Sequence, residues 1–151
     1  MIKKNKVLIG VIAVALCAGL YLNVKSGQTE LKDGVYKVSA DSYVENGYKP
    51  FVILEVKNGR MIDALLDYVN AEGELLTKNK ELKHEYYDEI GNFPEAFTKE
   101  IRAELLIKQG TDTLSKATTS EKAVNTFKKM IDELLSQRVK KGKEEALTVK
   151  L

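Results

Sequence analysis

The chain has 151 residues, 44% hydrophobic and 30% charged, with 24 basic and 22 acidic side chains. That is room for one globular domain plus an appendage, and too little for a multidomain enzyme. Lys3, Lys4 and Lys6 precede every acid, so the chain from Lys25 onward holds 21 basic against 22 acidic residues; this near-neutral body, with 7% aromatic residues overall, lacks the basic face interleaved with stacking rings that nucleic-acid binding requires.

The lone thiol, Cys17, excludes an internal disulfide and a cysteine-rich metal site. It lies in an uncharged run, Val7 to Val24, behind the basic start Met1-Ile2-Lys3-Lys4-Asn5-Lys6. A helix of that length spans ~27 Å, close to the hydrocarbon thickness, and the lysines before it belong on the cytoplasmic side. Residues 1–24 are therefore read as an anchor or an export signal, with the globular part on the extracytoplasmic side of the cell membrane. Three fates stay open: an uncleaved signal anchor, lipid attachment at Cys17 within Val14-Ala15-Leu16-Cys17, and ordinary cleavage. Residues 25–30 read as a short tether.

From residue 31 the pattern changes to short alternating segments split by glycine pairs. Asp33-Gly34 opens a strand through Val35, Tyr36 and Val38, and Asn46-Gly47 separates it from Phe51 to Val56. Asn58-Gly59 then separates that strand from Met61 to Val69, and an asparagine-glycine pair predicts an antiparallel hairpin over 51–69. Beyond Gly73 the period lengthens toward that of a helix. Leu82, Tyr86 and Ile90 share one face behind an Asn79 cap; Pro94 starts a helix carrying Phe97, Ile101 and Leu105, which Gly110 ends. A last helix begins near Thr119 or Ser120, and its apolar stripe stops near Val139. Residues 137–151 form a charged tail, read as a solvated or loosely docked extension. The fold class is α+β, a small antiparallel sheet packed with helices.

Most standard chemistry is absent: the chain has no glycine-rich nucleotide loop, no cysteine pair and no nucleophile elbow. His84, with Asp88 one turn on, falls short of the three or four ligands a stable metal site needs, so no metal is expected. Ser115-Lys116 suggests a serine–lysine pair, but adjacent residues diverge in direction and no third group orients them. The informative stretch is Gly110 to Glu121, dense in hydroxyls and set just before an amphipathic helix, where N–H groups and the positive end of the helix dipole gather. Thr118-x-x-Glu121 fits a capping box and Thr119 or Ser120 could cap, yet the same N–H groups suit a phosphate.

Asp112-Thr113-Leu114-Ser115-Lys116-Ala117-Thr118 resembles the Asp-x-x-Ser-Gly-Ala-Thr flavinylation motif of the FMN-binding domain family, and Thr119-Ser120 and the last helix follow as in that family. The start Asp33-Gly34-Val35-Tyr36 and the hairpin Val52 to Ile62 are similar in order. The stretch from Asp67 to Gly73, Glu85-Tyr86-Tyr87 and Asn92-Phe93-Pro94 leading to Lys108-Gln109 resembles the small membrane-anchored lipoprotein branch. The likeness covers residues 31–136.

The resemblance implies FMN esterified to Thr118 by a flavin transferase that uses FAD and magnesium, with Asp112, Ser115, Lys116, Ala117 and Thr119 in the attachment loop. It implies an electron carrier rather than a turnover enzyme, working between a membrane donor and an external acceptor, with Tyr36, Tyr86, Tyr87 and Phe93 as candidate walls for the flavin ring. Lys116 stands where the family has glycine. A positive φ there would cost lysine about 1 kcal/mol or more, whereas at negative φ its ammonium can pair with the phosphate. The alternative is an anchored module of the same fold that carries no flavin and binds a partner or small ligand.

Overall fold

The computed structural model describes residues 30–44, 46–82, 84–85, 92–117 and 120–151. The membrane segment expected over 7–24, Cys17, Tyr86, Tyr87, Asp88, Ile90, Thr118 and Thr119 lie outside these residues. Among those described, no helix is long and apolar enough to cross a membrane.

Strand β1 runs Gly34–Ala40, β2 Lys49–Lys57 and β3 Arg60–Val69. The hairpin forms as its turn residues dictate: Asn58 and Gly59 both take positive φ, 53° and 70°, which matches the twist of a two-residue hairpin. Lys57 therefore faces Arg60, and the antiparallel register runs on to Lys49 opposite Val69, with a bulge between Glu55 and Val56. Asp33 fixes the turn from β1, its Oδ1 accepting the Gly59 N–H at 2.9 Å. That bond, with another from the Asn58 backbone, holds the Asp33 carboxyl below the usual carboxylate range.

Helix α1 spans Pro94–Lys108 and α2 spans Glu121–Gln137. Proline at the first turn loses nothing, because that N–H has no helical partner. Upstream, Asn79 caps as expected, its Oδ1 accepting the N–H groups of Glu81 and Leu82 at 3.1 Å each. Gly110 does not supply the left-handed residue after α1; Gln109 does, at φ 57°, ψ 32°. Its side chain explains why a non-glycine residue holds that conformation. Gln109 Oε1 accepts the Met61 N–H at 2.8 Å and its Nε2 donates to the Met61 and Leu106 carbonyls at 2.9 and 2.6 Å, closing part of the β3 edge.

Alternate residues of the strands, including Tyr36, Val38, Val52, Leu54, Leu66 and Tyr68, enter one core with Phe97, Ile101 and Leu105 of α1 and Phe127, Met130, Ile131 and Leu134 of α2. Tyr68 meets Phe97 and Phe127 edge-on, at 6.3 and 5.4 Å between ring centroids, joining the sheet to both helices. Every residue of this core lies between Tyr36 and Val149, inside the compact unit Leu31–Leu151.

Two expectations are corrected. The sheet has four strands in the order β3-β2-β1-β4 and is mixed, because β4, Leu147–Val149, pairs in parallel with β1, Val38 facing Leu147 and Ala40 facing Val149. The segment read as a loosely docked tail is thus part of the fold, with Val139, Leu147 and Val149 buried. Only three of its residues need an alternating pattern to make this strand, too few to stand out among the charges around them.

Candidate functional site

The hydroxyl-rich segment links the end of α1 to the start of α2 and is held at three points. Thr111 is buried and its hydroxyl donates to Asp132 Oδ1 on α2. Lys128, one turn earlier on the same helix, places Nζ 2.6 Å from Asp132 Oδ2 and 3.4 Å from Thr111 Oγ1. Leu114 is fully buried and pins a 3-10 turn, Leu114–Lys116, to the core. The turn closes through Lys116 N–H to Thr113 O and Ala117 N–H to Leu114 O, both 2.9 Å. Finally, Ser120 occupies the N-cap position of α2, is buried, and makes no side-chain capping bond to the helix.

Between these anchors, Asp112, Ser115 and Lys116 are exposed, and Ala117 is half-buried against the core. Thr113 Oγ1 is buried with no hydrogen-bond partner. A buried hydroxyl without a protein partner gains a hydrogen bond from a donor or acceptor brought to it. Lys116 is in a 3-10 turn and is not among the residues with positive φ. Its backbone therefore does not use the freedom that glycine would supply, and the ammonium stands in solvent on the outer side of the loop. Among the described residues, no acid pairs with the exposed Ser115 or Lys116.

Of the expected aromatic walls, Tyr36 and Phe93 are among the described residues, and neither lies at this loop. Tyr36 is fully buried in the core, its hydroxyl donating to the Lys32 carbonyl at 2.9 Å, so it offers no ring face to a ligand. Phe93 lies at the other end of α1, a helix of ~22 Å, from the residue where the chain enters the loop. There it meets the exposed His84 edge-on at 5.7 Å, and with Glu95, Ala96 and Lys99 these rings line an open cleft of about 520 Å³. Cleft and hydroxyl-rich loop are separate features. Among the described residues no three His, Cys, Asp or Glu side chains converge as a metal site would need.

The clamp of Thr111, Lys128 and Asp132 was not anticipated from the sequence. The helical spacing of Lys128 and Asp132 is readable as a four-residue ion pair, but their meeting with Thr111 depends on how α1 hands the chain to α2.

No family model matches the chain. It is similar to a protein of Treponema pallidum named 15 kDa lipoprotein, at 26% identity over 133 residues, which covers 88% of this chain and 93% of that protein. Its fold is similar to a crystal structure of a Clostridium perfringens protein, with a TM-score of 0.70 and 26% identity, over 80% of this chain and 98% of that one.

Proposed function

We propose that the chain is a membrane-anchored extracytoplasmic flavoprotein that carries FMN on Thr118 and acts as an electron carrier. The observation that carries this reading is the loop itself: the segment resembling a flavinylation motif is exposed at Asp112, Ser115 and Lys116, firmly anchored on both sides, and leads through position 118 to the first turn of α2. The residues present fit an anionic group. Lys116 brings a positive charge without backbone strain, and the start of α2 adds the favourable end of a helix dipole.

In this role Thr118 is an attachment point. Its hydroxyl proton leaves as the phosphoester forms, and the adenylate half of FAD departs as AMP. Asp112 and Ser115 present the loop to the transferase, while Thr111, Asp132 and Lys128 hold the loop's base against α2. The bound flavin supplies the electron chemistry; the protein fixes where that chemistry happens. Anchoring draws support from the lipoprotein relative, which makes lipid on Cys17 the fitting form of the N-terminus, with residues 25–30 as tether.

The test is intact-mass spectrometry and visible spectroscopy of protein produced with a flavin transferase, FAD and magnesium. The native chain is expected to gain the mass of FMN and turn yellow, and Thr118→Val to gain none. A native protein that stays colourless and unmodified would overturn this reading and support the flavin-free binding module instead.

A further inference from the structure

The fold treats the hydroxyls of the loop differently. Thr111 is buried and donates to Asp132, and Ser115 is exposed, where solvent satisfies it. Thr113 Oγ1 has neither: it is closed off from solvent and has no hydrogen-bond partner, although the residue as a whole is only half-buried. The backbone gives no reason for threonine here. Its φ of −103° and ψ of 0° open the 3-10 turn, whose Lys116 N–H donates to the Thr113 carbonyl at 2.9 Å, and valine, equally β-branched, could do the same. A buried hydroxyl left unpaired lowers stability, whereas a methyl of the same shape would not. Among the described residues, nothing offsets that cost in the flavin-free chain.

We infer that Thr113 Oγ1 is a binding group for the flavin phosphate, donating its O–H to a phosphate oxygen once FMN is esterified at position 118. The inference rests on the flavin reading above and adds to it a residue that holds the cofactor. Thr113 and Ala117 bracket the 3-10 turn, ~8 Å apart along its axis at ~2.0 Å per residue, and the attachment residue follows Ala117 directly. The ester is a phosphodiester, which keeps one negative charge on two free oxygens, and an O–H donated to a charged acceptor is about twice as strong as a neutral pair. Lys116 answers the same charge from solvent, where screening weakens it; Thr113 answers it out of water, where a hydrogen bond is stronger. Because Oγ1 is covered, binding is accompanied by a turn of χ1 or a small shift of the loop's exposed side.

The test is a thermodynamic cycle on residues 31–151, which contain the entire core, as native, Thr113→Val and Thr113→Ser chains, each made with and without a flavin transferase. Loading is read by intact mass and stability by urea unfolding. Without flavin, Thr113→Val should unfold at a urea midpoint about 0.5 M above native, since it removes an unpaired hydroxyl and keeps the shape. Loading should raise the native and Thr113→Ser midpoints by at least about 0.5 M more than it raises that of Thr113→Val. A Thr113→Val chain that takes no FMN where Thr113→Ser takes it shows the same requirement for the hydroxyl. An unloaded Thr113→Val midpoint no higher than native, equal rises in all three chains on loading, or failure of both variants to load overturns the inference. Failure of the flavin reading registers separately, as a native chain without the mass of FMN, and the inference falls with it.

Discussion

Gly34 shows how one residue type is dictated by several neighbours at once. Its φ of 152° lies in a region that side chains rarely adopt, and a Cβ built there would stand 2.3 Å from Glu144 Oε1 and 3.1 Å from the Tyr36 hydroxyl. Glu144 can swing away, but the backbone strain remains. Gly34→Ala is therefore expected to destabilise the protein by about 1–3 kcal/mol, measured by urea unfolding. Tyr36 beside it is equally constrained: burial first, then the charges of Glu144 and Asp33, pushes its hydroxyl above the usual tyrosine range and keeps it neutral. The Asp33-Gly34-x-Tyr36 pattern was legible as a strand start, since glycine after aspartate punctuates a chain by itself. Its physical reason was not, because Glu144 arrives from more than a hundred residues away. The same holds at Lys116, where the sequence posed two backbone alternatives and the 3-10 turn selects the one that lysine tolerates.

At the level of elements, β4 carries more than its three residues suggest. It covers the open edge of β1 and, with the 3-10 turn Val139–Lys141 before it, buries Val139, Leu147 and Val149. Burial of such side chains contributes about 1.5–3 kcal/mol each, an upper figure since unfolded chains already hide some apolar area. Ending the chain at Gln137 is expected to remove several kcal/mol of stability, read as a lower urea midpoint, and to promote concentration-dependent aggregation through the bared β1 edge, read by light scattering. The opposite edge is guarded differently, by Gln109 on Met61 and by Arg102, whose Nε donates to the Ala64 carbonyl at 2.8 Å. The helices were readable because their apolar spacing repeats over 15 and 17 residues. A three-residue strand has no such repetition.

For the molecule as a whole, pH tests how α1 is fastened to the sheet. Asp63 on β3 accepts from Arg102 at 2.7 Å and from the Ala64 N–H at 2.7 Å, and the arginine is the larger influence holding its carboxyl below the usual range. A carboxyl with a depressed folded-state pKa contributes stability that is complete above its unfolded value, near 3.8, and is lost as pH falls through the lower folded value. Both side chains are about half exposed, so the contribution is no more than about 1 kcal/mol. Arg102→Gln should accordingly lower stability at neutral pH and flatten the acid limb of the curve, followed by circular dichroism from pH 7 to 2. The sequence by itself determined the features that act over a few residues: the Asn58-Gly59 hairpin, the proline-led helix, the Asn79 cap and the candidate loop at 110–121. Tertiary structure decided what joins distant residues: the parallel fourth strand, the Thr111–Asp132 clamp and the burial of Tyr36 away from any ligand. The division follows from range, since turn and helix preferences are written in neighbouring side chains, whereas edges and clamps exist only once the core has brought separate segments together.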